Sequence, residues 1–240
     1  MIARVAEAAG AAIAGAAVGA LATWPFGVPV AGAVVGGLNG AISGWLATYE
    51  WQRPRGVLAF ALDNSWALLT TGAGLAIHGL NLVVRDAGYA SELSVRANRH
   101  VYRRGFRLRK GFAMTWGNVM NGAGDIDGDT PRAIRRRRLV TDHEDVHVWQ
   151  ARVFGPIYPV VYFGWIVVGG LAGAVRWLIK RDHSLGGSMD AWGYYANPFE
   201  WWAYSRDGNW PPHVLGDRAP LVWKRPIVRS LAVARQTRAS

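Results

Sequence analysis

The chain has 240 residues, 27 of them Lys or Arg against 16 Asp or Glu, for a formal net charge of +11 at neutral pH. It holds no Cys, which excludes disulfide frameworks, thiolate-bound metals, iron–sulfur clusters and a cysteine nucleophile. A hydrophobic share of 51% is too high for an intrinsically disordered chain, and 13 Trp with 30 Gly point to a membrane protein, where Trp sits at the interface and Gly at helix contacts.

Residues 8–49 contain no Asp, Glu, Lys or Arg. Within them, residues 6–22 and 28–47 predict two apolar helices joined by a turn at Trp24-Pro25-Phe26-Gly27. Gly15 and Gly19 on the first helix, and Gly32, Gly36, Gly40 and Gly44 on the second, recur every four residues. Each set makes a groove along one helix face where backbones approach closely. A glycine-zipper hairpin over residues 1–50 is expected, retained rather than cleaved as a signal segment, and able to associate with further copies through its Gly-rich helices.

A basic break at Gln52–Gly56 precedes an apolar stretch, residues 57–84, long enough to span a bilayer once. Asp63, Asn64 and His78 interrupt it, and a bend through Thr70-Thr71-Gly72 would make them ordinary buried polar groups. Residues 96–110 carry seven Lys or Arg, and Arg135–Arg138 form a second basic cluster. Next to apolar spans such clusters suit a cytoplasmic membrane surface better than nucleic acid. The acidic run Asp125–Asp129 lacks the Gly and Glu of a calcium loop, because Thr130 and Arg136 stand at those positions, and reads as a solvated turn. Alternation within Phe106–Met120 predicts an edge strand or hairpin.

Residues 139–154 predict a helix capped by Thr141 or Asp142, ended by Gly155-Pro156. The last long apolar run follows, residues 157–179. After it only Asn197–Arg206 reads as regular, with Asn197 as cap and Pro198 in the first turn. The tail beyond Lys224 is expected to be mobile.

His143-Glu144-Asp145-Val146-His147 is an H-E-x-x-H motif. Two His four apart share a helix face and reach one ion, and neutral imidazole suits zinc. Glu144 is the candidate general base, accepting a proton from the attacking water. A catalytic site needs a third protein ligand. Glu200 is the only Glu downstream and the first candidate, with His213 and His183 as alternatives.

HEDVHVWQ followed by NPFEWWAY resembles zincin metallopeptidases of the gluzincin type, over about residues 100–210. The resemblance implies His143, His147 and Glu200 as zinc ligands and Glu144 as base. It further implies an oxyanion stabiliser, Tyr204 or Tyr195, and a substrate-pairing strand for which Phe112–Met120 is the counterpart. The run over residues 157–179 lies between the ligands. A single site therefore requires that run to sit at membrane depth, to bend at Gly169-Gly170, or to pack on other segments.

The expected fold class is a mainly α membrane protein, a glycine-zipper helical hairpin plus a small α+β zincin-like domain. Its segments are 1–50 (hairpin), 51–95 (apolar segment and linker), 96–155 (basic region with the motif helix), 156–180 (membrane-associated segment) and 181–240 (third ligand and tail). The expected function is zinc-dependent peptide hydrolysis at a bacterial inner membrane, with the basic loops cytoplasmic and peptide or protein as substrate. The alternative is a non-enzymatic glycine-zipper scaffold with a structural or vestigial metal site.

Overall fold

The computed structural model describes residues 1–108, 111–212, 215 and 225–230. Most of them are helical. The chain divides into two compact units, Met1–Val140 with Val148–Pro156, and Thr141–His147 with Ile157–Ser240.

The first unit opens with α1 (Ile2–Thr23), a short 3-10 turn (Trp24–Phe26) and α2 (Pro29–Trp45). Gly27, in the left-handed region at φ 74°, turns the chain. The two helices pack through their small residues. A Cβ on Gly15 would run into the carbonyl oxygen of Gly36, one on Gly19 into that of Gly32, and one on Gly40 into that of Ala11. The glycine faces of the two helices therefore meet each other within one chain. The outward residues are apolar, among them Ile13, Leu21, Val30, Val34 and Leu38.

Helices α3 (Pro54–Asp63) and α4 (Leu68–Val83) follow. Together they have the length and composition of one span, but they are bent by 86°. The bend falls at residues 64–67, earlier than the expected Thr70-Thr71-Gly72, because Asp63 and Asn64 are tied down by distant partners. Asp63 receives two hydrogen bonds from Arg152, both 2.8 Å, and one of 2.7 Å from the Tyr49 hydroxyl. Asn64 accepts from Asn39 at 3.1 Å, and Asn118 donates to Asn39 at 3.0 Å. Polar residues that interrupt an apolar stretch are thus the centre of a buried network.

A one-turn helix α5 (Ser91–Ser94) leads to the sheet of β1 (His100–Tyr102), β2 (Met114–Trp116) and β3 (Val119–Asn121). β3 is central, parallel to β1 and antiparallel to β2. The expected strand over Phe112–Met120 is therefore a short hairpin, and it belongs to the first unit. Ala90, Val101, Met120, Ala123, Ile126, Val140 and Val148 form the core beneath it. Several arginines of the basic runs are structural. Arg96 binds Glu7 and the Tyr49 carbonyl, Arg103 bridges Glu92 and Asp127, and Arg137 holds the carbonyls of Ile126 and Gly128. The acidic turn at Asp125–Asp129 is in this way clamped by Arg103 and Arg137.

Helix α6 (Pro131–Arg138) starts at Thr130, whose side chain accepts from the Ala133 amide at 3.1 Å. A π-helical turn (Leu139–Glu144) carries it into α7 (Asp145–Phe154). The expected cap at Thr141 or Asp142 does not occur. The helix is already running there, and Thr141 bonds Asp142 instead.

In the second unit, α8 (Ile157–Lys180) is one unbroken helix, with no bend at Gly169-Gly170. The chain then reverses through α9 (Leu185–Asp190) and a π-helical turn (Ala191–Tyr195) into α10 (Pro198–Asp207). This return runs antiparallel along α8. Gly173 meets the Ser188 carbonyl, Gly169 meets the Trp192 carbonyl, and Asn197 donates to the Tyr162 carbonyl at 3.1 Å. Without side chains, Gly169 and Gly173 let the returning backbone lie against the helix. Among the described residues, two helical segments, Ile2–Phe26 and Ile157–Lys180, are long and apolar enough to cross a membrane.

Candidate metal centre

The second unit gathers the motif and its distant partner. His143 lies on the π-helical turn and His147 on the first turn of α7. Single π turns inside helices are uncommon and frequent at functional sites. Glu200 comes from the first turn of α10. There Asn197 accepts the Phe199 amide at 3.0 Å and Pro198 supplies a pre-set helical φ. The return of the chain along α8 brings Glu200 back to the start of that helix. This is how one apolar helix separates the ligands in sequence without separating them in space.

His143, His147 and Glu200 are 2%, 6% and 1% exposed. One ligand atom from each lies within 4.8 Å of the other two. His143 Nε2 is 3.5 Å from Glu200 Oε2, and His147 Nε2 is 3.4 Å from Oε1. Ligands held about 2.1 Å from one tetrahedral ion stand about 3.4 Å apart, and each imidazole stands about that far from one of the two Glu200 oxygens. Glu200 Oε2 and His143 Nδ1 have no hydrogen-bond partner among the described residues. A buried carboxylate oxygen without a donor is costly, and a cation between it and the imidazoles would remove that cost. Burial alone would raise the Glu200 pKa, but the imidazoles of His147 and His143 outweigh it and hold the carboxyl below the usual range. The donor set therefore fits a divalent metal ion.

Glu144 is buried beside the ligands, and its charge reaches the hydroxyls of Tyr194 and Tyr204. Tyr204, one turn after Glu200, sets its ring edge-on to His143 with centroids 4.5 Å apart. Burial and then the Glu200 charge push its pKa up, so its hydroxyl keeps its proton. Tyr195 stands behind it, 6.0 Å from the Tyr204 ring. Of the two candidate oxyanion stabilisers, Tyr204 is the one against a ligand.

His183 is placed elsewhere. It lies beyond the far end of α8, beside Asp182, with its carbonyl held by Trp177 at 2.8 Å. It is therefore not in the cluster, and this alternative ligand is withdrawn. His213 lies outside the described residues.

Two residues at the site carried no sequence expectation. The Tyr158 hydroxyl is 3.3 Å from His147 Nδ1, and the Tyr162 hydroxyl donates to Glu200 Oε1 at 2.6 Å. Both rings pack on Phe199, at 5.0 and 6.2 Å, which joins the start of α8 to the start of α10. Their signal was present. Tyr158-x-x-x-Tyr162 repeats the four-residue spacing of His143 and His147, but it sits inside an apolar run.

A scan against protein-family models finds no match, and searches of the curated proteins and of the solved structures return none.

Proposed function

We propose that this chain is a membrane-associated zinc peptidase, with His143, His147 and Glu200 holding the metal and Glu144 as general base. The observation that carries the reading is the buried trio whose ligand atoms lie within 4.8 Å of one another, with an imidazole 3.4–3.5 Å from each Glu200 oxygen and one of those oxygens unpartnered among the described residues. The adjacent acid Glu144 supports a hydrolytic site over a structural one.

Zinc would supply Lewis acidity, lowering the pKa of water and polarising a peptide carbonyl. Glu144 takes one proton from the attacking water as its oxygen bonds to the carbonyl carbon. The same carboxyl then gives that proton to the amide nitrogen as the carbon–nitrogen bond breaks. Tyr204, protonated and set against His143, is the donor toward the developing oxyanion. Helices α1 and α8 are the anchors to lipid, with α1 and α2 as a glycine-zipper hairpin. A bacterial inner membrane is the proposed setting, and the positive-inside rule supports the Arg-rich loops on its cytoplasmic face.

The test is hydrolysis of a fluorogenic casein by zinc-loaded protein in detergent, beside Glu144→Gln. The variant should keep its zinc and lose at least about 100-fold in rate, the scale of a removed general base. Equal hydrolysis in the variant would overturn the assignment of Glu144. Stoichiometric zinc with no hydrolysis by the parent protein would favour a non-catalytic metal site.

A further inference from the structure

We propose that Tyr158 and Tyr162 are positioning residues of the metal site, so that the apolar helix α8 sets how the metal is held. The inference rests on reading the trio as a zinc site. Tyr158 and Tyr162 are four residues apart on the first turns of α8, hence on one face of it. Their hydroxyls meet two different ligands.

Tyr162 donates to Glu200 Oε1 at 2.6 Å. That bond takes one lone pair of Oε1 and makes Oε2, which has no donor among the described residues, the oxygen more open to a metal. Glu200 is thereby set to bind through one oxygen. Tyr158 lies 3.3 Å from His147 Nδ1. With the proton of the neutral ring on Nδ1 and donated to Tyr158, Nε2, 3.4 Å from Glu200 Oε1, keeps its lone pair for a metal. His143 has no counterpart, since its Nδ1 is unpartnered among the described residues. The two imidazoles are therefore held unequally, with His147 fixed by α8 and His143 by its own helical turn and the Tyr204 ring. Asn197 completes the link, capping α10 while donating to the backbone carbonyl of Tyr162 at 3.1 Å.

The experiment measures zinc affinity by competition with a fluorescent chelator in the full-length protein, for the parent, Tyr158→Phe, Tyr162→Phe and Val160→Ala. Phe keeps the ring packing and removes only the hydroxyl, and Val160 is an outward residue of the same turn. Each Phe variant should bind zinc about 10–100-fold more weakly, the usual effect of removing a partner of a metal ligand, while Val160→Ala binds as the parent does. Cobalt loaded in place of zinc separates the two roles. In Tyr162→Phe both Glu200 oxygens become available, coordination number rises and the visible cobalt band weakens. In Tyr158→Phe affinity falls with the band retained. Unchanged affinity and spectra in both Phe variants would overturn the positioning role while leaving the zinc site intact. Equal losses in Val160→Ala would reduce the effect to helix packing and overturn it too. A parent protein that binds no zinc would instead overturn the site reading on which the inference rests.

Discussion

Asp63 in the first unit and Glu200 in the second are equally hidden, at 2% and 1% exposed, yet their surroundings differ in kind. Asp63 meets a guanidinium through two bonds and a tyrosine hydroxyl through a third. Its charge is balanced by a permanent cation inside the fold. Glu200 meets two imidazoles at 3.4–3.5 Å and one tyrosine hydroxyl, and keeps an oxygen without a donor. Buried charges persist when they are paired or coordinate metals. The first carboxylate is of the paired sort, and the second has the surroundings of a ligand.

The largest expected effect separates them by stability. Arg152→Ala leaves Asp63 buried without its cation and should cost about 3–5 kcal/mol in denaturant unfolding. Metal-free Glu200→Gln should cost less than Arg152→Ala does, because Glu200 meets imidazoles rather than a permanent cation and keeps one oxygen without a donor among the described residues. Equal losses would erase the distinction. Next, zinc at about 1,000 times its dissociation constant should stabilise the parent protein by about 4 kcal/mol and leave Glu200→Gln unmoved. The same shift in both would place the ion elsewhere.

A smaller effect probes the first unit's own packing. Gly36→Ala drives a methyl into the Gly15 carbonyl and should cost about 1–3 kcal/mol by thermal melting. Gly37→Ala places its methyl 3.4 Å from the Ala16 Cβ and should be near neutral. The pair fails as a test of close approach only if both variants melt alike.

The smallest effect is a pH dependence in the first unit. Burial, followed by the charges of His78 and Arg152, holds the His100 pKa well below the ordinary 6.5. The unfolded chain therefore binds a proton that the folded chain refuses. The contribution is complete above pH 6.5 and is lost as pH falls toward the folded value, by up to about 1.4 kcal/mol per pH unit. Melting at pH 7.5, 6 and 5 should show this slope, and His100→Gln should flatten it. An unchanged slope would assign the dependence to other groups.

Short-range patterns explain what was legible in the sequence. The glycine repeats fall on the facing sides of α1 and α2, the last apolar run is one helix, and Asn197-Pro198 starts α10. H-E-x-x-H marked two members of the trio, and scarcity of Glu marked the third. What stayed hidden depends on partners far along the chain. The bend after Asp63 is set by Arg152, 89 residues away. The missing cap at Thr141 follows from a helix nucleated earlier, at Thr130. Tyr158 and Tyr162 carried no sequence expectation, because only the return of α10 brings Glu200 beside them. His183 looked like a ligand because sequence alone does not show that Glu200 and the motif meet at the start of α8, the end opposite His183.

The most direct measurement is zinc content per chain in detergent-purified protein, for the parent, His147→Ala, Glu200→Ala and His183→Ala. The account predicts one ion per chain in the parent and in His183→Ala, and loss or severe weakening in the other two. No zinc in the parent after metal is added back, or zinc kept by Glu200→Ala and lost by His183→Ala, would contradict it.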